Sequence, residues 1–282
     1  MHLYDYAKSL VLEAGNNVRK WMVEDLAIEE KSNPNDLVTN VDKAIEQFIV
    51  QQIQESYPHH RIIGEEGHGH DIESTEGVVW VIDPIDGTLN FIHQGENFAI
   101  SVGIFKDGKP YAGFVYDVMA DLLYHAKVGH GAYINQNAIP QLEGTQVRES
   151  IIGMNPNWLT KPILSSILQP IISDSRSARA YGSAALEIVY VATGQLAAYL
   201  TPRLQPWDYA GGMIILNEVG GVATNFAGEP LSITAPNSIL MGNAQVHEEI
   251  RRDYLQGYDH VLTALQQKFK RNKHRAITIK MI

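Results

Sequence analysis

The residues of this chain best placed to do chemistry are the two aspartates of Asp83-Pro84-Ile85-Asp86-Gly87-Thr88-Leu89-Asn90-Phe91. They stand three residues apart around a proline that fixes the local backbone, so both carboxylates can point into one small volume. Gly87 permits close backbone approach, and Thr88 opens a predicted helix whose free N–H groups favour an anion such as phosphate. Taken alone, the segment reads more readily as a strand-to-helix turn capped by Asp86. Two other acidic segments change its weight. Gly64-Glu65-Glu66-Gly67 puts two carboxylates just upstream, and Pro206-Trp207-Asp208-Tyr209-Ala210-Gly211-Gly212 puts one at a helix start, followed by small residues that permit tight packing. Each of these, by itself, also fits a solvated loop or a plain N-cap.

These segments need elements to bring them together. Apolar Leu3, Ala7, Leu10, Val11, Ala14, Val18 and Trp21 recur at helical spacing. So do Val41, Ile45, Phe48, Ile49 and Ile53, until Pro58 stops the pattern; two helices open the chain. Arg61-Ile62-Ile63 and Val78-Val79-Trp80-Val81-Ile82 are predicted strands that end where the acidic motifs begin. Residues 97–117, split about Lys106-Asp107-Gly108-Lys109, and residues 121–134 form a predicted antiparallel meander. Past a polar junction at 143–150 come predicted helices at 158–169, 183–193 and 208–219, strands at 196–200 and 239–242, and a last helix from 244 to about 267. Helices set apart from runs of strands imply a layered α+β fold rather than a strict βαβ repeat. The expected organisation is an N-terminal half, 1–145, with most of the acids, a C-terminal half, 146–267, with Asp208, and a basic tail, 268–282, expected to fray.

In their order, Asn33-Pro34-Asn35-Asp36-Leu37-Val38-Thr39, Gly-Glu-Glu, Asp-Pro-Ile-Asp-Gly-Thr-Leu-Asn-Phe and Trp-Asp-Tyr-Ala-Gly-Gly resemble the inositol monophosphatase family, from about residue 5 to residue 265. The resemblance implies an αβαβα sandwich of the sugar-phosphatase type and a homodimer. It also implies Mg²⁺-dependent hydrolysis of phosphate monoesters, with two or three ions per site and inhibition by Li⁺. It assigns Glu65, Asp83, the carbonyl of Ile85, Asp86 and Asp208 to the metals. Thr88, supported by Asp36, is assigned with Glu65 to the attacking water. Asp86, Gly87, Thr88, Ser183 and Ala184 are its substrate-pocket residues. Charge physics agrees: carboxylates about 4 Å apart repel by roughly 4 kcal/mol per pair at an effective dielectric of 20, so such a cluster invites divalent cations. All-oxygen ligands select Mg²⁺ or Mn²⁺ over zinc.

One departure bears on substrate. Inositol-specific members carry a glutamate at the position matching Thr201, within Leu200-Thr201-Pro202-Arg203-Leu204-Gln205. A broad specificity is therefore expected. Arg203 is a candidate for a second phosphate, as in NADP, fructose 1,6-bisphosphate or phosphoadenosine phosphate. His68 and His70 in a glycine-rich loop resemble an accessory metal site, but a lid beside the acids explains them better.

Composition narrows the classes. The chain has 282 residues and no cysteine, which excludes disulfides, zinc–thiolate sites and thiol nucleophiles. The net charge is −10; six of the 22 Lys and Arg lie in 268–282, leaving 16 − 32 = −16 on residues 1–267. So acidic a body argues against nucleic acid as a partner. No apolar run approaches membrane-spanning length and no signal peptide opens the chain, so the expectation is a cytoplasmic protein with no membrane partner. Competing readings fit less well. A haloacid-dehalogenase nucleophile needs one residue between its aspartates, not two. An EF-hand needs acids at alternate positions. A catalytically inactive metal- or phosphate-binding regulator would be expected to lack one of the ligands.

Overall fold

The computed structural model describes residues 2–23, 26–31, 37–69, 72, 74–258, 260–262 and 264. Asp36, His70 and the basic tail lie outside the described residues. In chain order the first elements are α1 (Leu3–Trp21), β1 (Ile28–Glu30), β2 (Leu37–Thr39), α2 (Asn40–Ser56), β3 (Arg61–Gly64), β4 (Val78–Asp86) and α3 (Thr88–His93). The strands β5 (Ala99–Lys106), β6 (Lys109–Asp117), β7 (Leu122–Lys127), β8 (Ala132–Ile134) and β9 (Asn137–Ala138) follow. Then come β10 (Ile151–Gly153), α4 (Pro162–Asp174), β11 (Ser177–Arg179), α5 (Ala184–Ala192), β12 (Ala198–Leu204) and α6 (Pro206–Glu218). The last are β13 (Gly221–Thr224), β14 (Asn237–Asn243) and α7 (Ala244–Glu249). This is an α+β fold, as the separation of helical and strand patterns implies.

The chain divides into two compact units, and neither is a continuous stretch. The first comprises residues 1–139, 181–189 and 207–218. Its seven-stranded sheet runs β3-β4-β5-β6-β7-β8-β9, a meander from β4 onward with β3 added in parallel at one edge. Its core joins the inner faces of α1 and α2 (Leu10, Val11, Ala14, Val18, Ile45, Ile49, Ile53) to sheet residues such as Trp80, Val102 and Phe114. α2 starts at Asn40 because Thr39 and Asp42 form a reciprocal cap, each bonding the other's backbone N–H. α6 lies close over β5 and β6: a Cβ on Gly103 would sit 2.8 Å from Ala210, and one on Gly211 2.7 Å from the carbonyl of Phe114.

The second unit comprises residues 140–180, 190–206 and 219–282. Its five-stranded sheet runs β11-β10-β12-β14-β13, mixing parallel and antiparallel pairs, over a core that includes Ile152, Leu168, Leu200, Phe226, Leu240 and Ile250. Three departures from the predicted elements have local causes. β4 does not stop at Ile82 but continues through the acidic motif to Asp86. The helix expected at 158–169 begins at Pro162, which sets φ for a first turn, after a tight turn over Pro156–Thr160. The last helix keeps α geometry to Glu249, then reaches one residue further with each hydrogen bond over Ile250–Leu255, and residues 260–262 and 264 are again helical. Among the described residues, no helix is long and apolar enough to cross a membrane.

Candidate functional site

β4 brings its two aspartates together by breaking its own pleat. Residues three apart on a regular strand face opposite ways. Here the pairing of β4 with β5 slips between Asp83 and Asp86, where Pro84 has no N–H to give the ladder. Asp83 Oδ1 accepts the N–H of Ile85 at 3.0 Å, closing the turn. Gly87 follows at φ 96°, and a Cβ there would come within 3.1 Å of Ser183 Cβ, so the position requires glycine. Asp208 joins from the first turn of α6. One carboxylate oxygen from each of Asp83, Asp86 and Asp208 lies within 4.8 Å of the others. Glu65, one residue past the end of β3, lies near enough for its charge to act on Asp83.

The electrostatics follow from this crowding. Asp83 is only 1% exposed, and burial, then the charges of Glu65, Asp86 and Asp208, raise its carboxyl well above the usual range. Burial pushes Asp86 up to about 7, although the Ser183 hydroxyl and the Ala185 N–H both favour its charged form. Asp86 thus does not cap the helix that follows it. Its Oδ2 accepts from Ser183 Oγ and, at 2.8 Å, from Ala185 N, so it serves the start of α5 instead. Lys31 supplies a cation at the rim, its Nζ 2.9 Å from Glu65 and 2.6 Å from Glu66.

Thr88 Oγ1 lies 3.2 Å from Asp42 Oδ1 and 3.2 Å from the carbonyl of Ile85. Asp36 is outside the described residues, and the carboxylate that meets Thr88 within them is Asp42. It was legible only as the third residue after Thr39, a helix-capping pattern, and it fills both offices: Oδ2 takes the Thr39 N–H at 3.0 Å and the Thr39 hydroxyl. Burial pushes Asp42 up to about 6. Glu187 is a second acid that sequence reasoning missed. It is buried on α5; Oε1 accepts the N–H groups of Tyr181 and Gly182 at 3.0 and 3.3 Å, while Oε2 has no partner among the described residues. Burial pushes it up to about 7.

Of the remaining sequence candidates, Ser183 is buried with its hydroxyl on Asp86, and Ala184 is the half-buried first residue of α5. Thr201 is buried and Arg203 exposed on β12, in the second unit. The imidazole of His68 is committed to Glu46, with Nδ1 2.7 Å from Oε1.

Residues 2–258 match the family model described as "Inositol monophosphatase family". The chain is similar to the inositol-1-monophosphatase of Bacillus subtilis (strain 168), 51% identical over 253 residues that cover 89% of this chain and 96% of that one. It is similar to the solved SaIMPase-II bound to 2′AMP, at 61% identity and TM-score 0.89, covering 95% of this chain and 100% of that one. The same protein is also solved bound to inositol monophosphate. A more distant solved relative is an IMPase/NADP phosphatase complexed with NADP and Ca²⁺, 28% identical with TM-score 0.82, covering 88% and 93% of the two chains. With its acids gathered in this order and on this fold, the chain belongs to the inositol monophosphatase family and is a phosphoric monoester hydrolase.

Proposed function

We propose that this chain hydrolyses phosphate monoesters of small polyols and nucleotides with Mg²⁺ held by Glu65, Asp83, Asp86, Asp208 and the carbonyl of Ile85. The observation that carries this reading is the gathering of the Asp83, Asp86 and Asp208 carboxylates within 4.8 Å. Three ionised carboxylates at that spacing oppose one another by ~3.5 kcal/mol per pair at an effective dielectric of 20, so they fit a divalent cation. The oxygen-only donor set suits Mg²⁺. When bound, Mg²⁺ makes a water acidic enough to attack phosphorus and neutralises charge on the phosphate and leaving oxygens.

The chain's own residues do the rest. Thr88, directing its hydroxyl proton to Asp42 or to the Ile85 carbonyl, keeps a lone pair free to accept a hydrogen bond from the attacking water. Asp42 is fixed by the Thr39 cap and so fixes Thr88 in turn. Glu65 stands beside Asp83 as a second acceptor for that water. Ser183 and the Ala185 N–H hold Asp86 in one rotamer. No covalent intermediate on Asp83 is required.

A second reading, preference for a nucleotide carrying an extra phosphate, is favoured by the relative solved with NADP. Arg203 is the residue proposed to meet the extra charge. Li⁺ inhibition, a homodimer and a cytoplasmic location complete the proposal, the first two by family resemblance and the last compatible with a chain that has no cysteine. One panel tests it: phosphate release from inositol monophosphate, 2′-AMP, NADP and fructose 1,6-bisphosphate, with Mg²⁺ or with EDTA. Mg²⁺-dependent turnover of at least one ester is expected. No release from any of them, or trapping of a phosphoaspartyl enzyme, would overturn the reading. Arg203→Ala should raise KM for NADP well beyond any change for inositol monophosphate, and equal effects would remove Arg203 from recognition.

A further inference from the structure

Glu46 is a buried carboxylate with no role in the chemistry described so far. It stands four residues after Asp42 on α2, hence on the same helix face, and it is 1% exposed. Both of its oxygens are engaged, and both partners belong to the loop that carries Glu65. Oε2 accepts the N–H of Glu66 at 2.7 Å and Oε1 faces His68 Nδ1 at 2.7 Å. The same loop is closed by the Gly64 N–H on the carbonyl of His68 at 2.9 Å, and tied to β4 by the Glu65 N–H on the carbonyl of Ile82 at 3.2 Å. Gly64 makes room for the carboxylate: a Cβ there would meet the Glu46 carboxyl atoms at 2.5 to 2.9 Å.

A carboxylate is costly to bury unless its oxygens find donors. A solvated loop has no use for one. Here the acid replaces water as the acceptor for the loop's own N–H group and imidazole, and this leaves the segment one backbone path from Gly64 to His68. Glu65 lies in the middle of that path, near enough for its charge to act on Asp83. From this geometry we infer that Glu46, latched by His68, is a positioning residue that aims Glu65 at the aspartate cluster, so that one face of α2 sets both Thr88, through Asp42, and Glu65. The inference rests on the metal-dependent reading above and assigns no contact with substrate to Glu46.

Three variants test it. In Glu46→Gln the amide oxygen still accepts the Glu66 N–H, and the amide nitrogen donates to His68 in its other tautomer. Glu46→Leu removes both acceptors at similar bulk, and His68→Ala removes the latch from a half-exposed position. Mg²⁺ binding by calorimetry, amide exchange of residues 62–69 in metal-free protein, and kcat against KM are the readouts, with circular dichroism as the check on folding. Glu46→Leu is expected to weaken Mg²⁺ binding by about 10- to 100-fold, the range for groups that orient metal ligands. It should also speed exchange at 62–69 and lower kcat with little change in KM for the ester. His68→Ala should move the same way by less, and Glu46→Gln should stay close to wild type. Wild-type Mg²⁺ binding and exchange in folded Glu46→Leu would overturn the inference. If that variant does not fold, the same result in His68→Ala would overturn it. Failure of the wild type to take up Mg²⁺ would instead bring down the metal-dependent reading itself.

Discussion

At the scale of single residues, the site trades stability for charge. Asp83 is buried against Glu65, Asp86 and Asp208, and each ionised pair is repulsive until a cation arrives. Asp83→Asn is therefore expected to have two opposite effects. Mg²⁺-dependent turnover should fall by more than about 100-fold, beyond what loss of a ligand's supporting group produces. The thermal midpoint in EDTA should rise, because a buried like charge has gone; an unchanged midpoint would show that the carboxylates do not oppose one another. Asp42→Ala should cost about 1 kcal/mol of stability through the lost cap and lower kcat by freeing Thr88. A thermal melt and initial rates check the two parts separately. The clustered acids Asp83, Asp86 and Asp208 could be picked out in the sequence because type and order carry them. Asp42 could not: Thr39-x-x-Asp42 announces a helix cap, and nothing in the chain says that the cap's other oxygen faces Thr88. Glu187 and Glu46 were illegible for a related reason. Each holds backbone N–H groups of a loop, and that is a property of the fold, with no motif to advertise it.

At the scale of elements, small residues decide how near α6 comes to the sheet and so where Asp208 stands. Gly103 and Gly211 face close neighbours, and the pair Gly211-Gly212 was readable in advance as a close-packing stretch. Gly211→Val should destabilise by about 1–3 kcal/mol through overpacking, and weaken Mg²⁺ binding more than its effect on stability alone would suggest. Melting curves with and without Mg²⁺ would separate these. Periodicity found α1, α2 and the meander because each has a long apolar face. It missed β1, β2, β10, β11 and β13, which have three or four residues each, too few to show alternation. The end of β4 was missed because Pro84 looks like a terminator. The slipped register lets pairing resume at Asp86 opposite Ala99.

For the whole molecule, protons and Mg²⁺ compete at Asp86, a proposed metal ligand, while Asp42 and Glu187 take up protons without meeting the metal. Asp42 is raised to about 6 and Asp86 and Glu187 to about 7, so the folded state holds these protons more tightly than the unfolded chain does. The stability they contribute is complete below about pH 4 and is lost as pH rises through 6 to 7. Metal-free protein should thus melt lower at pH 8 than at pH 5. Mg²⁺ should reverse the trend, since it binds the ionised cluster. At a hundredfold excess over its dissociation constant a ligand adds about 2.7 kcal/mol, and this gain should be larger at pH 8. Melting in EDTA and in Mg²⁺ at the two pH values gives the four numbers needed. A Mg²⁺ effect of equal size at both would show that protons and metal do not share the Asp83–Asp86–Asp208 cluster.

The first unit is assembled from three separated stretches of chain, and Asp208 lies in the last of them. During synthesis, the strand bearing Asp83 and Asp86 emerges more than a hundred residues before the helix that completes their cluster. Until α6 leaves the ribosome, β5 and β6 lack their covering helix and Gly103 and Gly113 lie bare on the sheet. The nascent protein must therefore wait, with an open apolar face and an unfinished charge cluster, for its final third. A chain interrupted near residue 200 would be a poor metal binder and a natural client for holding chaperones.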